Sequence, residues 1–277
     1  MLYNDAAVKV RILTAVYTGE RFFMDSVRKY RDYTDDAELK KAILGFIGQE
    51  AMHTREHMDY NEMLERAGLP AKELDQFTWK LLARVSKILP DRLLLGGTIA
   101  LEHYTAILGD MILRHPEKLA NAMPEYITMW RWHALEETEH KAVAYDVWEA
   151  TSRDKRLDYI NRATAMVIAT AILWPVLGYY HVRLVMADPK LKGKRISGYK
   201  SLAKFLFGKD SPFPKLLPET LKFFRRDFHP WDDDNEELLA EMDVILKRVA
   251  EQAKAAAAAE SEAKQAPQAA AMAASMV

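Results

Sequence analysis

Two lone glutamates set inside apolar helical runs limit what this chain can fold into. Glu20 interrupts Ala15-Val16-Tyr17-Thr18-Gly19-Glu20-Arg21-Phe22-Phe23-Met24, and Glu102 interrupts the run Leu93-Leu94-Leu95-Gly96-Gly97-Thr98-Ile99-Ala100-Leu101-Glu102. A buried carboxylate without a partner is costly, so it protonates, finds a cation or coordinates a metal. A short word occurs twice on two further helix-patterned segments, as Glu50-Ala-Met-His53 and Glu137-Thr-Glu-His140. Residues three apart differ by about 60° around a helix and by about one turn along it, so each word puts a carboxylate and an imidazole on one face. Along the chain the order is Glu, ExxH, Glu, ExxH. Each half therefore reads as a helix pair, and the acids meet only if four helices pack side by side.

The rest of the chain agrees with an all-α fold. Apolar residues recur at spacings of three and four, glycines are few, and prolines fall mainly between long periodic segments. The pattern predicts helices over 5–32, over 35–67 with Asp35 as N-cap, and over a shorter stretch ending near 89. Pro90-Asp91 opens a third bundle helix that ends before His115-Pro116, and a fourth runs over 124–151. An apolar helix comes next over 157–186, then a Gly-, Lys- and Pro-rich stretch over 189–218 with short helices. A last amphipathic helix starts near Asn235 and runs toward 259. Residues 1–250 read as one helical domain, and 251–277 as an Ala-rich low-complexity tail with no core-forming pattern.

Composition excludes several functions. The chain has no cysteine, which removes disulfides, thiolate zinc sites, iron–sulfur clusters and a cysteine nucleophile. Any metal must be held by oxygen and nitrogen. With 39 basic and 40 acidic residues and no long basic stripe, nucleic acid is not an expected partner. The first eleven residues lack the apolar core of a secretory signal, so a cytoplasmic location is the expectation. Residues 163–180 carry no charge and approach the length of a membrane span. Pro175 and the threonines favour a buried or dimer-forming helix, and membrane contact through 163–186 is the alternative.

For each candidate ligand taken singly, a bland role is the better reading. Glu20 or Glu102 alone would pair with Arg21, Arg28 or Arg131, and His53 or His140 alone would be a satisfied core histidine. Jointly, six residues in this order favour a metal site, since four carboxylates neutralise two divalent ions while the imidazoles bind as neutral donors. His133, one turn before Glu137, shares the face of Glu137 and His140. Helix angles do not separate Glu137 from Glu136, and the match with Glu50 and His53 selects Glu137. His57, four residues after His53, faces the same way, and two roles stay open for it, an orienting or pocket-lining residue and a solvated or structural one. Glu136 reads as an acid behind the ligands, Glu139 as a solvated acid, and His103 as structural. Tyr17 and Tyr104 lie near ligand faces.

The order of ligands resembles the ferritin-like di-iron carboxylate proteins, in which a Glu from each of two helices and a Glu-x-x-His from each of two others point into a bundle core. That resemblance implies a ferritin-like four-helix bundle with additional C-terminal helices. The word His133-x-x-x-Glu137-x-x-His140 is also similar to that of the di-iron N-oxygenases acting on arylamines, which implies His133 as a seventh ligand, on the ion held by His140. The segment Trp132-His133-x-x-Glu136-Glu137-x-Glu139-His140, together with Phe228-His229-Pro230-Trp231-Asp232, resembles an uncharacterised bacterial family labelled predicted metal-dependent hydrolases, over residues up to about 235. The implied metal ligands are Glu20, Glu50, His53, Glu102, His133, Glu137 and His140, with Glu50 and Glu137 bridging. The implied cofactor is two Fe ions, with Mn or Zn as alternatives. The expected partners are dioxygen, an electron donor and a small apolar substrate, and a homodimer is expected. Metal-assisted hydrolysis, an iron-binding protein without catalysis, and a metal-free polar core are the competing readings.

Overall fold

A computed structural model describes residues 17–119, 124–207, 213–252 and 254. The expected first part of the opening helix and residues 255–277 of the tail lie outside the described residues. Among those described, the helical elements in chain order are α1 (Tyr17–Arg28), α2 (Ala37–Arg66), α3 (Ala71–Ile88), α4 (Asp91–Arg114), α5 (Pro124–His140), α6 (Val143–Ala150), α7 (Lys155–Ala187), α8 (Arg195–Phe207), α9 (Phe213–Lys222) and α10 (242–252). No strand occurs among the described residues, so the chain is all-α.

Local chemistry sets most of the ends. The α2 N-cap is Asp36 rather than the expected Asp35, because the Asp36 carboxylate accepts from the backbone N–H groups of Glu38 at 2.9 Å and Leu39 at 3.2 Å. α2 stops at Ala67–Gly68, where Gly68 takes φ +79°, a left-handed conformation suited to glycine. The expected helix over 124–151 is broken after His140 by a turn at Lys141–Ala142. The break falls where the Lys141 ammonium leaves the helix to donate to the Asp233 carbonyl at 2.8 Å and to Asn235 Oδ1 at 2.7 Å. That second bond also explains a difference downstream: Asn235 makes no side-chain cap, and a 3₁₀ segment, Glu236–Glu241, replaces the expected first turns of the last helix.

The bundle is two helix pairs, α1 with α2 and α4 with α5, joined by α1 against α4 and α2 against α5 and α6. Its core holds Phe23, Val27, Phe46, Leu95, Ile99, Trp148 and Met166. α7 packs along α4 at a close approach, since a Cβ on Gly96 would sit 2.8 Å from the Ala165 Cβ. Of the expected buried or dimer-forming helix, the buried form does not hold within the chain: α7 leaves one apolar face open, with only 22% of its most apolar window buried. The core thus lies between the two helix pairs, with α6 and α7 adding Trp148 and Met166 to it.

Candidate metal centre

Each proposed acid arrives from a different helix: Glu20 from α1, Glu50 from α2, Glu102 from α4 and Glu137 from α5. All four are buried, at 5%, 0%, 1% and 3% exposure. The structure brings them to one place. His140 Nε2 lies 3.4 Å from Glu50 Oε1, 3.4 Å from Glu102 Oε2 and 3.6 Å from Glu137 Oε2. His53 Nδ1 lies 3.8 Å from Glu50 Oε2 and 3.4 Å from Glu137 Oε1. Glu50 and Glu137 therefore each turn one oxygen toward His53 and the other toward His140, as a carboxylate does when it spans two ions.

Three groups have ligand atoms within 4.8 Å of one another: Glu50, Glu102 and His140; Glu50, His53 and Glu137; and Glu20, His53 and His133. His133 thus sits with Glu20 and His53, its ring 4.0 Å from that of His53, rather than on the ion of His140 as the resemblance implied. Helix rise accounts for this. Seven residues are about two turns, so the two imidazoles share a face but stand ~10 Å apart along the axis.

The cationic partners considered for a metal-free reading are occupied elsewhere. Arg28 pairs with Asp25, Arg131 with Glu241, and Arg21 is exposed. Among the described residues, none of the four acids pairs with a Lys or Arg. Glu20 Oε2, both oxygens of Glu50, both of Glu102, Glu137 Oε2, His53 Nδ1 and His140 Nε2 are buried without a hydrogen-bond partner. Such a concentration of orphaned acceptors in one cluster contradicts a satisfied polar core and fits divalent cations bound by oxygen and nitrogen.

The electrostatics carry the same strain. Burial raises the Glu50 carboxyl to about 7, and burial with the nearby Glu137 and Glu50 charges raises Glu102 well above the carboxylate range. Burial also acts to raise Glu137, but the imidazoles of His140 and His53 beside it outweigh burial and hold Glu137 well below its usual value. For His53, burial is outweighed by the hydrogen bond to Glu136 and by the nearby Glu137 and Glu50 carboxyl groups, which raise it. His133 is pushed down by burial and by the neighbouring His53.

Outer residues orient the imidazoles. His53 Nε2 lies 3.0 Å from Glu136 Oε2, which leaves Nδ1 facing Glu50 and Glu137. His140 Nδ1 lies 3.0 Å from Gln49 Oε1, and the Gln49 amide donates to Glu139 Oε2 at 2.6 Å. His57 Nε2 lies 2.8 Å from Glu20 Oε1. Partners of this kind fix the ring and tautomer of a metal ligand. Glu136 holds the role expected of it, and Glu139 acts through Gln49, which sequence reasoning missed because its partner is 90 residues away. His103 is structural, bonded to the Glu219 carbonyl at 3.0 Å and lowered by burial to about 4. The Tyr104 and Thr170 hydroxyls are 2.9 Å apart, which engages Tyr104 with α7, and the side chain of Tyr17 lies outside what is described.

In accord with this geometry, the profile of a family described as "predicted metal-dependent hydrolase" matches residues 7–234. The chain belongs to that family. The match ends beside the Phe228-His229-Pro230-Trp231-Asp232 word, which lies outside the carboxylate cluster: Phe228 is core, His229 Nε2 lies 3.2 Å from Asp146, and the Trp231 ring lies 3.9 Å from the Lys141 ammonium. No curated protein matches, and neither does a solved structure.

Proposed function

We propose that this protein is a di-iron carboxylate oxidoreductase that activates dioxygen to oxidise a small apolar substrate. The observation that carries the reading is the pair Glu50 and Glu137, each with one oxygen toward His53 and one toward His140. Glu102 and His140 would complete one metal position, and Glu20, His53 and His133 the other. When bound, two ferrous ions supply electrons to dioxygen, and manganese or zinc are the alternative occupants.

The chain's own residues do the rest. Glu50 and Glu137 hold two cations at one separation, and their burial keeps bulk water away from them. Gln49 and Glu136 aim the His140 and His53 lone pairs at the cations. His133 and Glu136, with side chains 17% and 13% exposed, are the members of the cluster nearest solvent, so Glu136 is placed to carry a proton between His53 and water. An apolar substrate is supported by a cavity of about 190 Å³ lined by residues of α1, α3, α4 and α7, without a charged side chain. It shares α1 and α4 with Glu20 and Glu102.

A second reading, hydrolysis by a water activated between two metals, is favoured by the family description. One experiment separates them: elemental analysis of protein purified without chelator, with spectra of the anaerobic ferrous form before and after oxygen. Iron, oxygen uptake and a new near-ultraviolet band support the oxidoreductase. Zinc with ester hydrolysis and no oxygen uptake establishes the hydrolase. Ferric ion accumulating without turnover of any organic substrate points to an iron-binding protein.

A further inference from the structure

The 33-residue helix α7 is uncharged from 163 to 180, yet it is not covered. One side packs on the bundle and holds its polar groups there, with Arg162 donating to the Phe223 and Arg225 carbonyls. The other side carries a line of apolar and small residues, among them Ile160, Val167, Ala171, Gly178, Val182 and Met186. Ile160, Val167, Val182 and Met186 are 47%, 58%, 44% and 48% exposed. The line is ~39 Å long by the helix rise. A face of this size on a soluble monomer marks a binding surface.

The segment just after α7 identifies the occupant. Between Asp188 and Asp210 the sequence holds Lys190, Lys192, Lys194, Arg195, Lys200, Lys204 and Lys209 and no acid. Lys192, Lys194, Arg195, Lys200 and Lys204 are exposed, and none forms an ion pair among the described residues. The cations adjoin the apolar line, because Arg195 donates to the Met186 carbonyl at 3.2 Å, and Ile196 beside it is 71% exposed.

We propose that this combined face docks on an anionic phospholipid surface, with α7 lying in the plane of the interface and the 190–204 segment over the headgroups. Because α7 is held to the bundle by buried polar groups, it lies on the membrane and does not cross it. The apolar cavity is lined in part by the half-exposed Leu81 and Val85 of α3 and by Ile168 and Ile172 of α7, beside Val167 and Ala171 of the apolar line. Molecules dissolved in the bilayer therefore enter the protein without crossing water. The inference is independent of which metal the protein holds and of the reaction.

The test is co-sedimentation of the full chain with vesicles of phosphatidylcholine alone, or of phosphatidylcholine with an equal share of phosphatidylglycerol. The expected result is binding to the anionic vesicles only, lost near 1 M salt, where the Debye length is ~3 Å. Lys192→Glu combined with Lys194→Glu should weaken binding at least about tenfold, since each basic residue contributes about fivefold. Val167→Asp, at an exposed position, should weaken it as much, with helicity and metal content unchanged. Absence of binding, equal binding to neutral vesicles, or indifference to both variants overturns the proposal. So does a stable dimer that Val167→Asp converts to monomer while vesicle binding is unaltered, because a second copy then occupies the face.

Discussion

Replacing Glu50 by Gln should make the metal-free protein more stable while removing its metal. Glu50 is fully buried, both of its oxygens lack a partner, and its carboxyl is raised from 4.5 to about 7. An acid raised in the folded state binds more protons folded than unfolded between these two values, so stability falls as pH rises through that window. The penalty is absent below pH ~4.5 and complete above pH ~7. At 1.36 kcal/mol for each tenfold change in proton affinity, raising the carboxyl from 4.5 to about 7 costs on the order of 3 kcal/mol. Gln keeps the shape of the side chain and cannot ionise. Above pH ~7 the metal-free variant should therefore melt roughly 6 °C higher than the parent, at about 2 °C per kcal/mol for a chain of this size. Near pH 4.5 the two should melt together.

The assay is thermal unfolding of chelator-treated parent and variant across that pH range, with metal content of untreated samples measured alongside. A polar core network predicts the opposite sign, because Gln would break hydrogen bonds that the carboxylate makes. A variant that is less stable than the parent at both pH extremes, or that retains its metal, refutes the reasoning.

Particular contacts set the other outcomes. Gln49→Ala removes the acceptor that orients His140 and should weaken metal binding by about 10- to 100-fold in a competitive chelator titration, with helicity unchanged. Two glycines should respond in opposite directions to alanine in urea denaturation. Gly45 in α2 has nothing within 4 Å of a new Cβ, so Gly45→Ala gains about 1 kcal/mol of helix propensity. At Gly96 the new Cβ meets Ala165 at 2.8 Å, and overpacking of about 1–3 kcal/mol cancels or exceeds that gain.

The amino-acid sequence made the class of fold and the ligand helices legible because both rest on local periodicity. α2, α4 and α7 begin and end within about two residues of where spacing, Pro90 and Gly68 put them. The four acids were found because a carboxylate inside an apolar run is conspicuous without any knowledge of its neighbours. What stayed hidden depends on contacts distant in sequence. The break after His140 is tied to Lys141 reaching residues 92 and 94 positions away. The same contact removes the N-cap expected at Asn235. Gln49 looks like any exposed helix residue until α5 is laid beside it, and the company His133 keeps depends on how far along its axis α2 meets α5. The outward face of α7 was likewise invisible, since apolar periodicity does not say whether a helix is covered.

The charge state of the cluster in metal-free protein leads to a last prediction. Burial raises Glu102 and Glu50 and so favours their neutral acids, whereas the imidazoles of His140 and His53 beside Glu137 hold it ionised. His53 is raised by its bond to Glu136 and by the nearby Glu137 and Glu50 carboxyl groups, which outweigh burial, so it carries a proton opposite Glu137. Without metal, near pH 6, the Glu137 anion therefore faces the His53 cation, while Glu50 and Glu102 stay neutral. Two divalent ions need these carboxylates ionised and His53 Nδ1 free, so loading should expel about two to three protons, from Glu102, Glu50 and His53. Mixing metal with chelator-treated protein in weakly buffered solution containing an indicator measures the number directly. Glu50→Gln should show less release for whatever metal it still binds, and the number for the parent should fall as pH rises past about 7, where Glu50 has already lost its proton. Loading without acidification near pH 6 would mean that the ions bind somewhere other than among these four helices, since a cluster this deeply buried holds its protons until a cation displaces them.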